Sequence, residues 1–202
     1  MNGEKFCHIF NRGVDRRTVF MDDCDRRRFL KTLSISNNVE ERADGTPLEH
    51  PVLNTEHDSF VRIHCYCLMT NHYHLLLEEI VPDGISRFMQ RLGNSYTRYF
   101  NIRHERNGYL FGTKYDFTPV ISDAHLLHVT RYIHLNPLDM MPKTNKNAVD
   151  PEAALTFLKV YPWSSYQYFD KLERHSLIEG SFLWKEFPDP KVHGKFLQEW
   201  IA

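Results

Sequence analysis

The chain has 202 residues, of which 42% are hydrophobic and 13% aromatic, so it is long enough for one domain with a substantial buried core. No apolar run approaches the roughly 18 residues that a membrane-spanning helix needs, and the first residues lack the basic-then-apolar pattern of a signal peptide. We therefore expect a cytoplasmic protein that does not associate with membranes.

The net charge of −1 conceals an uneven distribution of charge along the chain. Residues 84–115 carry six basic side chains and a single acidic one, Glu105, whereas residues 37–60 carry six acidic side chains and a single basic one, Arg42. A local basic element of this kind can bind a polyanion even where the whole chain is nearly neutral. The overall charge therefore does not exclude a nucleic-acid partner.

The hydrophobic pattern predicts seven elements in the order strand, helix, strand, strand, helix, strand, helix. The predicted strands are 6–10, 61–69, 72–79 and 114–121, and the predicted helices are 24–39, 85–104 and 124–135. Only Thr70 and Asn71 separate the second strand from the third, so these two should form an antiparallel hairpin at the centre of a sheet. The pattern indicates an α+β fold, an antiparallel sheet of about four to five strands with helices packed on it, of the ferredoxin-like or RNA-recognition-like type.

The same pattern suggests how the chain is divided. We expect the core to occupy residues 1–140 and residues 141–202 to form a C-terminal extension that packs on or beside it. Within the core, residues 40–60 carry Gly45, Pro47 and Pro51 with no hydrophobic period, which predicts an acidic loop.

Two histidines stand one residue apart in the predicted strand 72–79. Alternate side chains of a strand share a face, so His72 and His74 should point the same way and Tyr73 the other way. Paired imidazoles on one face of a strand can hold a divalent metal, and they can equally be two polar residues on a solvated sheet face. The pair alone leaves both interpretations open.

A second group of polar side chains lies on the predicted helix 124–135 and the residue after it. At about 100° per residue, Tyr132 and Asn136 fall on one flank of this helix together with His125, and His128 lies nearby. The stripe beside them that faces the core is formed by Leu126, Val129 and Ile133. Such a tyrosine is either part of a site or a satisfied residue at the boundary of the core.

The two groups would make a specific chemistry if the fold brings them together. A tyrosine hydroxyl ionises near pH 10 and is a weak nucleophile at neutral pH, but it can attack a phosphodiester whose charge a metal ion neutralises. Two imidazoles and an amide oxygen would leave open positions on Mg2+ or Mn2+ for phosphate oxygens.

At these residues the chain resembles a known family. His72-Tyr73-His74 matches the His-hydrophobic-His (HUH) signature, and Arg131-Tyr132-Ile133-His134-Leu135-Asn136-Pro137 matches the tyrosine helix of the single-tyrosine, IS200-like HUH transposases. Within that family the likeness is to the REP-associated tyrosine transposases, with supporting stretches at 8–13, 64–69, 86–100 and 161–166. The sequence departs from the family at Thr70, where proline is usual, and at Phe111-Gly112-Thr113-Lys114.

The resemblance implies a role for each matching residue. His72, His74 and Asn136 would bind Mg2+ or Mn2+, and Tyr132 would cut single-stranded DNA, keeping the 5′ phosphate as a covalent phosphotyrosine and releasing a 3′ hydroxyl. The partner would be a palindromic repeat folded as a DNA hairpin. An HUH endonuclease core would cut and transfer this DNA during DNA transposition, acting as a monomer or a homodimer.

Basic residues on the predicted helix 85–104 mark a surface for the DNA backbone. Arg87, Arg91 and Arg98 share one face of this helix, and phosphate contacts would make the affinity dependent on salt. The full set of predicted DNA-binding residues is Arg12, Arg16, Arg87, Arg91, Arg98, Arg103 and Lys114.

Two other functions compete with the transposase. One is a binding protein that holds a DNA or RNA hairpin without cutting it, and the other is a metal-dependent phosphodiesterase in which water attacks in place of Tyr132. The presence of His72, His74, Tyr132 and Asn136 together favours the tyrosine enzyme, because a binding protein has no need of all four.

Overall fold

The computed structural model describes residues 6–39, 59–141 and 150–201. Four strands form one antiparallel sheet in the order β2-β3-β1-β4. They are β1 (Phe6–Arg12), β2 (Val61–Leu68), β3 (His72–Glu79) and β4 (Asp116–Pro119). The helices are α1 (Asp23–Ser36), α2 (Gly84–Arg103), α3 (Asp123–Leu135), α4 (Pro151–Val160), α5 (Tyr166–Asp170), α6 (Ser181–Glu186) and α7 (Pro190–Ile201), with 3₁₀ turns at Val14–Arg16 and Asn136–Met140.

The predicted order of the first seven elements is confirmed. β1, α1, β2, β3, α2 and β4 form the β-α-β-β-α-β arrangement of ferredoxin-like folds, and α3 follows. α1 ends before the predicted limit because the side chain of Asn37 bonds to both backbone groups of Val61: Nδ2 donates to the carbonyl oxygen at 2.7 Å and Oδ1 accepts from the amide at 2.9 Å. These bonds turn the chain towards the sheet.

The predicted hairpin forms, but only one of its strands is interior. β3 lies between β2 and β1, whereas β2 is at the edge of the sheet, so the prediction of a central hairpin was wrong for β2. β2 is nonetheless mostly buried, because residues from the C-terminal segment bond along its outer side. Leu68 N donates to Trp163 O at 2.9 Å, and Ser165 N donates to Tyr66 O at 3.0 Å. The open edge that attracts other strands is therefore covered here.

The two faces of β3 are covered by different helices. Tyr73 is fully buried against Phe29 of α1, with ring centres 4.8 Å apart, and Phe29 also packs on Tyr96 of α2. His72 and His74 point to the opposite face, where α3 places Tyr132 with its ring centre 5.3 Å from that of His74. Alternation along the strand thus separates an aromatic core from a polar layer.

The turn between β2 and β3 is anchored from outside the hairpin. Met69 N donates to His72 O at 2.9 Å, which closes the turn through Thr70 and Asn71. The carbonyl of Thr70 accepts from the amides of Val19 and Phe20, and the carbonyl of Asn71 accepts from Gly13 N. These bonds fix the start of β3, and therefore the position of His72.

α3 begins at a well-formed cap and ends beside the histidines. Ser122 is the N-cap residue, and its Oγ accepts from His125 N at 3.1 Å. The predicted inward stripe is buried, together with Thr130 and His134, and the helix passes at Asn136 into a 3₁₀ turn.

The predicted acidic loop at 40–60 falls on residues 40–58, which are outside the described part of the chain. The division at residue 140 stays a prediction. None of the helices in the described residues is long and apolar enough to cross a membrane.

Replacing Ser122 by alanine should lower the free energy of unfolding by about 0.5–2 kcal/mol, because the amide of His125 loses its capping acceptor. Urea denaturation at neutral pH measures this. The matched variant Ser122→Asp restores an acceptor and should stay within about 0.5 kcal/mol of the parent or exceed it. Equal destabilisation by both variants would show that the cap is not what stabilises α3.

Candidate active site

His72 lies between two amide oxygens. Its Nδ1 is 2.7 Å from Asn71 Oδ1, and its Nε2 is 3.3 Å from Asn136 Oδ1. Both amides are oriented by their nitrogens: Asn71 Nδ2 donates to Arg16 O at 3.1 Å, and Asn136 Nδ2 donates to Tyr132 O at 3.2 Å. An oxygen therefore faces each nitrogen of the imidazole ring.

This arrangement leaves one nitrogen of His72 without a proton to donate. Burial lowers the pKa of His72, and a neutral imidazole carries a single N–H, which can serve only one of the two oxygens. If Nδ1 donates to Asn71, the lone pair of Nε2 faces the lone pairs of Asn136 Oδ1. Two ligands at about 2.1 Å from one cation stand roughly 3.0–3.4 Å apart, so the 3.3 Å separation of these atoms fits a cation between them.

His74 is buried and bonds to another histidine. Its Nδ1 is 3.0 Å from His8 Nε2, and the two rings stack with centres 5.1 Å apart. Burial lowers the pKa of His74 to about 2, helped by repulsion from His8, His72 and Arg12, and burial together with repulsion from His125 lowers that of His8 to about 4. Both rings are thus neutral at physiological pH, the form in which imidazole binds metals.

Tyr132 lies over the histidines at the mouth of a cleft of about 240 Å³. The residue is 46% exposed, and its ring centre is 5.3 Å from that of His74 and 5.6 Å from that of His8. The cleft is lined by His8, Phe10, His74, Thr118, His125, His128, Val129 and Tyr132. The structure thus brings together the four residues predicted for catalysis and metal binding, His72, His74, Tyr132 and Asn136.

The metal site would depend on the amide of Asn136. No three histidine, cysteine or carboxylate side chains come together as a metal site within residues 6–39, 59–141 and 150–201. The amide oxygen of Asn136 is therefore the third candidate ligand, and its hydrogen bonding partly offsets the fall in the pKa of both His72 and His74.

The predicted DNA-binding residues divide between the two faces of the sheet. Arg12 pairs with His72 across β1 and β3, is exposed, and lowers the pKa of both His72 and His74 through its charge. Arg16 is exposed on the turn that Asn71 contacts. These two arginines lie beside the candidate site.

The arginines of α2 lie with that helix on the opposite face. The guanidinium carbons of Arg87 and Arg91 are 4.5 Å and 4.6 Å from the ring centre of Phe60, and Arg98 is exposed. Arg103 bonds to the carboxylates of Asp22 and Asp25, each at 2.6 Å, so its charge is largely compensated within the protein. Lys114 is exposed in the loop before β4.

Two contributors to the site were missed at the sequence level. His8 bonds to His74, and the side chain of Asn71, interpreted only as part of a turn, bonds to His72. Alternation along β1 places His8 and Arg12 on one face of the strand. The sequence of either strand alone, however, does not show that β1 pairs with β3 and so brings His8 to His74.

Residues 7–136 match the family model described as Transposase IS200 like. The chain belongs to the IS200-like transposase family. The match runs from β1 to Asn136 and so contains His72, His74, Tyr132 and Asn136, and membership assigns the chain to the DNA-cleaving transposases.

The fold of this IS200-like transposase is also found in a solved structure, that of a REP-associated tyrosine transposase bound to a REP hairpin. The two chains superpose with a TM-score of 0.53 and 11% sequence identity, over 89% of this chain and 87% of the other. The likeness therefore concerns the fold. A search of curated protein sequences gives no match.

Proposed function

We propose that this transposase cuts and rejoins single-stranded DNA through Tyr132, using a divalent cation held by His72, His74 and Asn136. The observation that carries the proposal is the convergence of these four side chains, from β3, α3 and the turn after α3, on one face of the sheet. A protein that only binds DNA has no need of a half-exposed tyrosine above neutral, buried imidazoles.

Tyr132 would act as the nucleophile. Its hydroxyl oxygen attacks the scissile phosphorus, the phenolic proton is lost, and the 3′ oxygen of the preceding nucleotide leaves as a hydroxyl, so that the 5′ phosphate stays on the tyrosine. Rejoining is the reverse step, in which a 3′ hydroxyl attacks the phosphotyrosine. One phosphodiester is exchanged for another, so no external energy source is needed.

The donor set supports Mg2+ or Mn2+ as the cation. Both imidazoles are neutral, and an amide oxygen faces the free nitrogen of His72 at 3.3 Å. When bound, the cation polarises the phosphate and neutralises the charge that develops on its oxygens. Imidazole ligands favour Mn2+ over Mg2+ in affinity, while an amide oxygen suits either ion.

His8 would position His74. The lone pair of His8 Nε2 would accept the Nδ1–H of His74, which fixes the tautomer of His74 and leaves its Nε2 free for the cation, and both rings are held by burial. Asn71 does the same for His72 at 2.7 Å. Groups that orient ligands in this way contribute substantially to metal affinity.

The substrate would be a DNA hairpin with single-stranded flanks. The solved relative in fold is bound to a REP hairpin, which supports this choice. Arg12 and Arg16, beside the histidines, would contact phosphates near the cut, whereas Arg87, Arg91, Arg98 and Lys114 would contact more distant parts of a substrate larger than the cleft. Arg103 would contribute least, because Asp22 and Asp25 already bind it.

Incubating the protein with a hairpin DNA carrying single-stranded flanks and Mn2+ should give a covalent protein–DNA adduct on a denaturing gel. Tyr132→Phe should abolish the adduct and leave folding and DNA affinity unchanged, since only the hydroxyl is removed. Tyr109→Phe, at a tyrosine that is 87% exposed and does not line the cleft of Tyr132, is the matched control and should keep the adduct. Cleavage without an adduct would favour attack by water, and binding without cleavage of any cognate hairpin would favour the non-cleaving binder.

Metal affinity can be measured without DNA, by titration with Mn2+ followed by electron paramagnetic resonance. His72→Ala and Asn136→Ala should each weaken binding at least about tenfold, because each removes a ligand, while Asn136→Asp should bind as tightly as the parent or more tightly. His175→Ala, at a histidine that contacts Tyr168 and not the site, serves as control. Unchanged Mn2+ affinity in a folded His72→Ala protein would contradict the ligand assignment.

The positioning role of His8 calls for a pair of substitutions. His8→Phe keeps a ring in place but removes the bond to His74, and should weaken Mn2+ binding about 10–100-fold. His8→Gln can place an amide near the position of the lost Nε2 and should recover most of the affinity. If both variants bind Mn2+ like the parent, His8 only fills space.

A further inference from the structure

Helix α7 brings an exposed tryptophan to α3, on the side where Tyr132 lies. Trp200 is 58% exposed, and its ring centre is 5.0 Å from that of His128 in an edge-to-face arrangement. The guanidinium carbon of Arg131 is 5.4 Å from the same indole ring and 3.7 Å from the ring of Phe196. The exposed indole, the exposed imidazole and the half-buried guanidinium therefore form one cluster.

This cluster is continuous with the cleft of Tyr132. His128 lines that cleft and also contacts Trp200, so a single side chain separates the indole from the cleft. His128 and Tyr132 are four residues apart on α3 and therefore neighbours on its surface, and Arg131 precedes Tyr132 in the chain. A nucleotide adjoining a phosphate at Tyr132 would lie within reach of the cluster.

The chemistry of the cluster matches an unpaired nucleotide. Base stacking on an aromatic side chain is independent of sequence because every base has a π-face, and an arginine beside the ring adds a cation for the phosphate. Arg131 forms no ion pair with any carboxylate among the described residues, so its charge is not compensated there. Isolated exposed apolar residues are common on protein surfaces, but Trp200 differs from Ile102 or Val160 in lying over a cation at the edge of a cleft.

We propose that Trp200, Arg131 and His128 form a subsite for one unpaired nucleotide of the DNA strand, next to the phosphate that Tyr132 attacks. The indole stacks on the base and the guanidinium of Arg131 contacts the phosphate of that nucleotide. The inference rests on the proposed function, since it places the subsite relative to the cut, and it adds a residue from the C-terminal segment to the substrate-binding surface.

The test measures DNA affinity by fluorescence anisotropy in a Tyr132→Phe background, so that no cleavage occurs. A hairpin with single-stranded flanks should bind about 5- to 150-fold more weakly to Trp200→Ala, while Trp200→Phe, which keeps an aromatic face, should lose much less. A blunt hairpin without flanks should bind both variants like the parent. Arg131→Gln should reduce the slope of log affinity against log salt by about 0.7 for the flanked DNA.

Abasic nucleotides locate the subsite. Removing the base at one flank position should weaken binding to the parent about as much as Trp200→Ala does, and should cost the Trp200→Ala protein nothing further, since the stacking partner is already absent. If no flank position shows this coupling, or if Trp200→Ala weakens the blunt hairpin equally, the subsite is refuted.

The outcomes separate the subsite from the nuclease. An adduct at Tyr132 together with unchanged flank affinity in Trp200→Ala would refute the subsite and leave the nuclease intact. Coupling of Trp200 to a single abasic position in a protein that never forms an adduct would support the subsite and refute the proposed reaction.

Discussion

The pairing of β1 with β3 is the interaction on which the candidate site depends. It places Phe10 opposite His74 and Arg12 opposite His72, and it brings His8, two residues before Phe10, within 3.0 Å of His74. Because side chains alternate along a strand, a slip of one residue in this pairing would carry His72 and His74 to the face that α1 and α2 cover. Register is therefore a condition for the chemistry as well as for the fold.

The aromatic face of β3 holds this register. Tyr73 is buried against Phe29 and Phe111, and burial of a large aromatic side chain is worth roughly 1.5–3 kcal/mol relative to leaving it exposed. A slipped strand would lose this contact and would place two imidazoles in an aromatic core without partners. The backbone bonds from Gly13, Val19 and Phe20 to the turn at Thr70 and Asn71 act in the same direction. The face away from the site thus determines where the site residues stand.

Much of this could be predicted from the sequence, because the signals were local. The order of elements followed from hydrophobic periodicity, the facing of His72 and His74 from strand alternation, and the grouping of Tyr132 with Asn136 from helical spacing. What could not be predicted depends on contacts between distant segments. His8 reaches His74 only through the strand pairing, and the arginines of α2 are separated from the site only by the order of layers. β2 can likewise lie at the edge of the sheet only because residues near Trp163, distant in the sequence, bond along its outer side.

The polar layer between the sheet and α3 holds the residues of the candidate site and lowers the stability of the fold. His74 and His8 are buried with lowered pKa values, so they must stay neutral, and each keeps only part of its hydrogen-bonding capacity filled. Such a layer destabilises the fold unless something satisfies the free nitrogen lone pairs, and a cation held by His72, His74 and Asn136 would do so. Cation binding should therefore stabilise the folded chain in proportion to the logarithm of its concentration above the dissociation constant. The same ligands that prepare a phosphate for attack would then also complete the packing between β3 and α3, which couples the integrity of the site to the integrity of the fold.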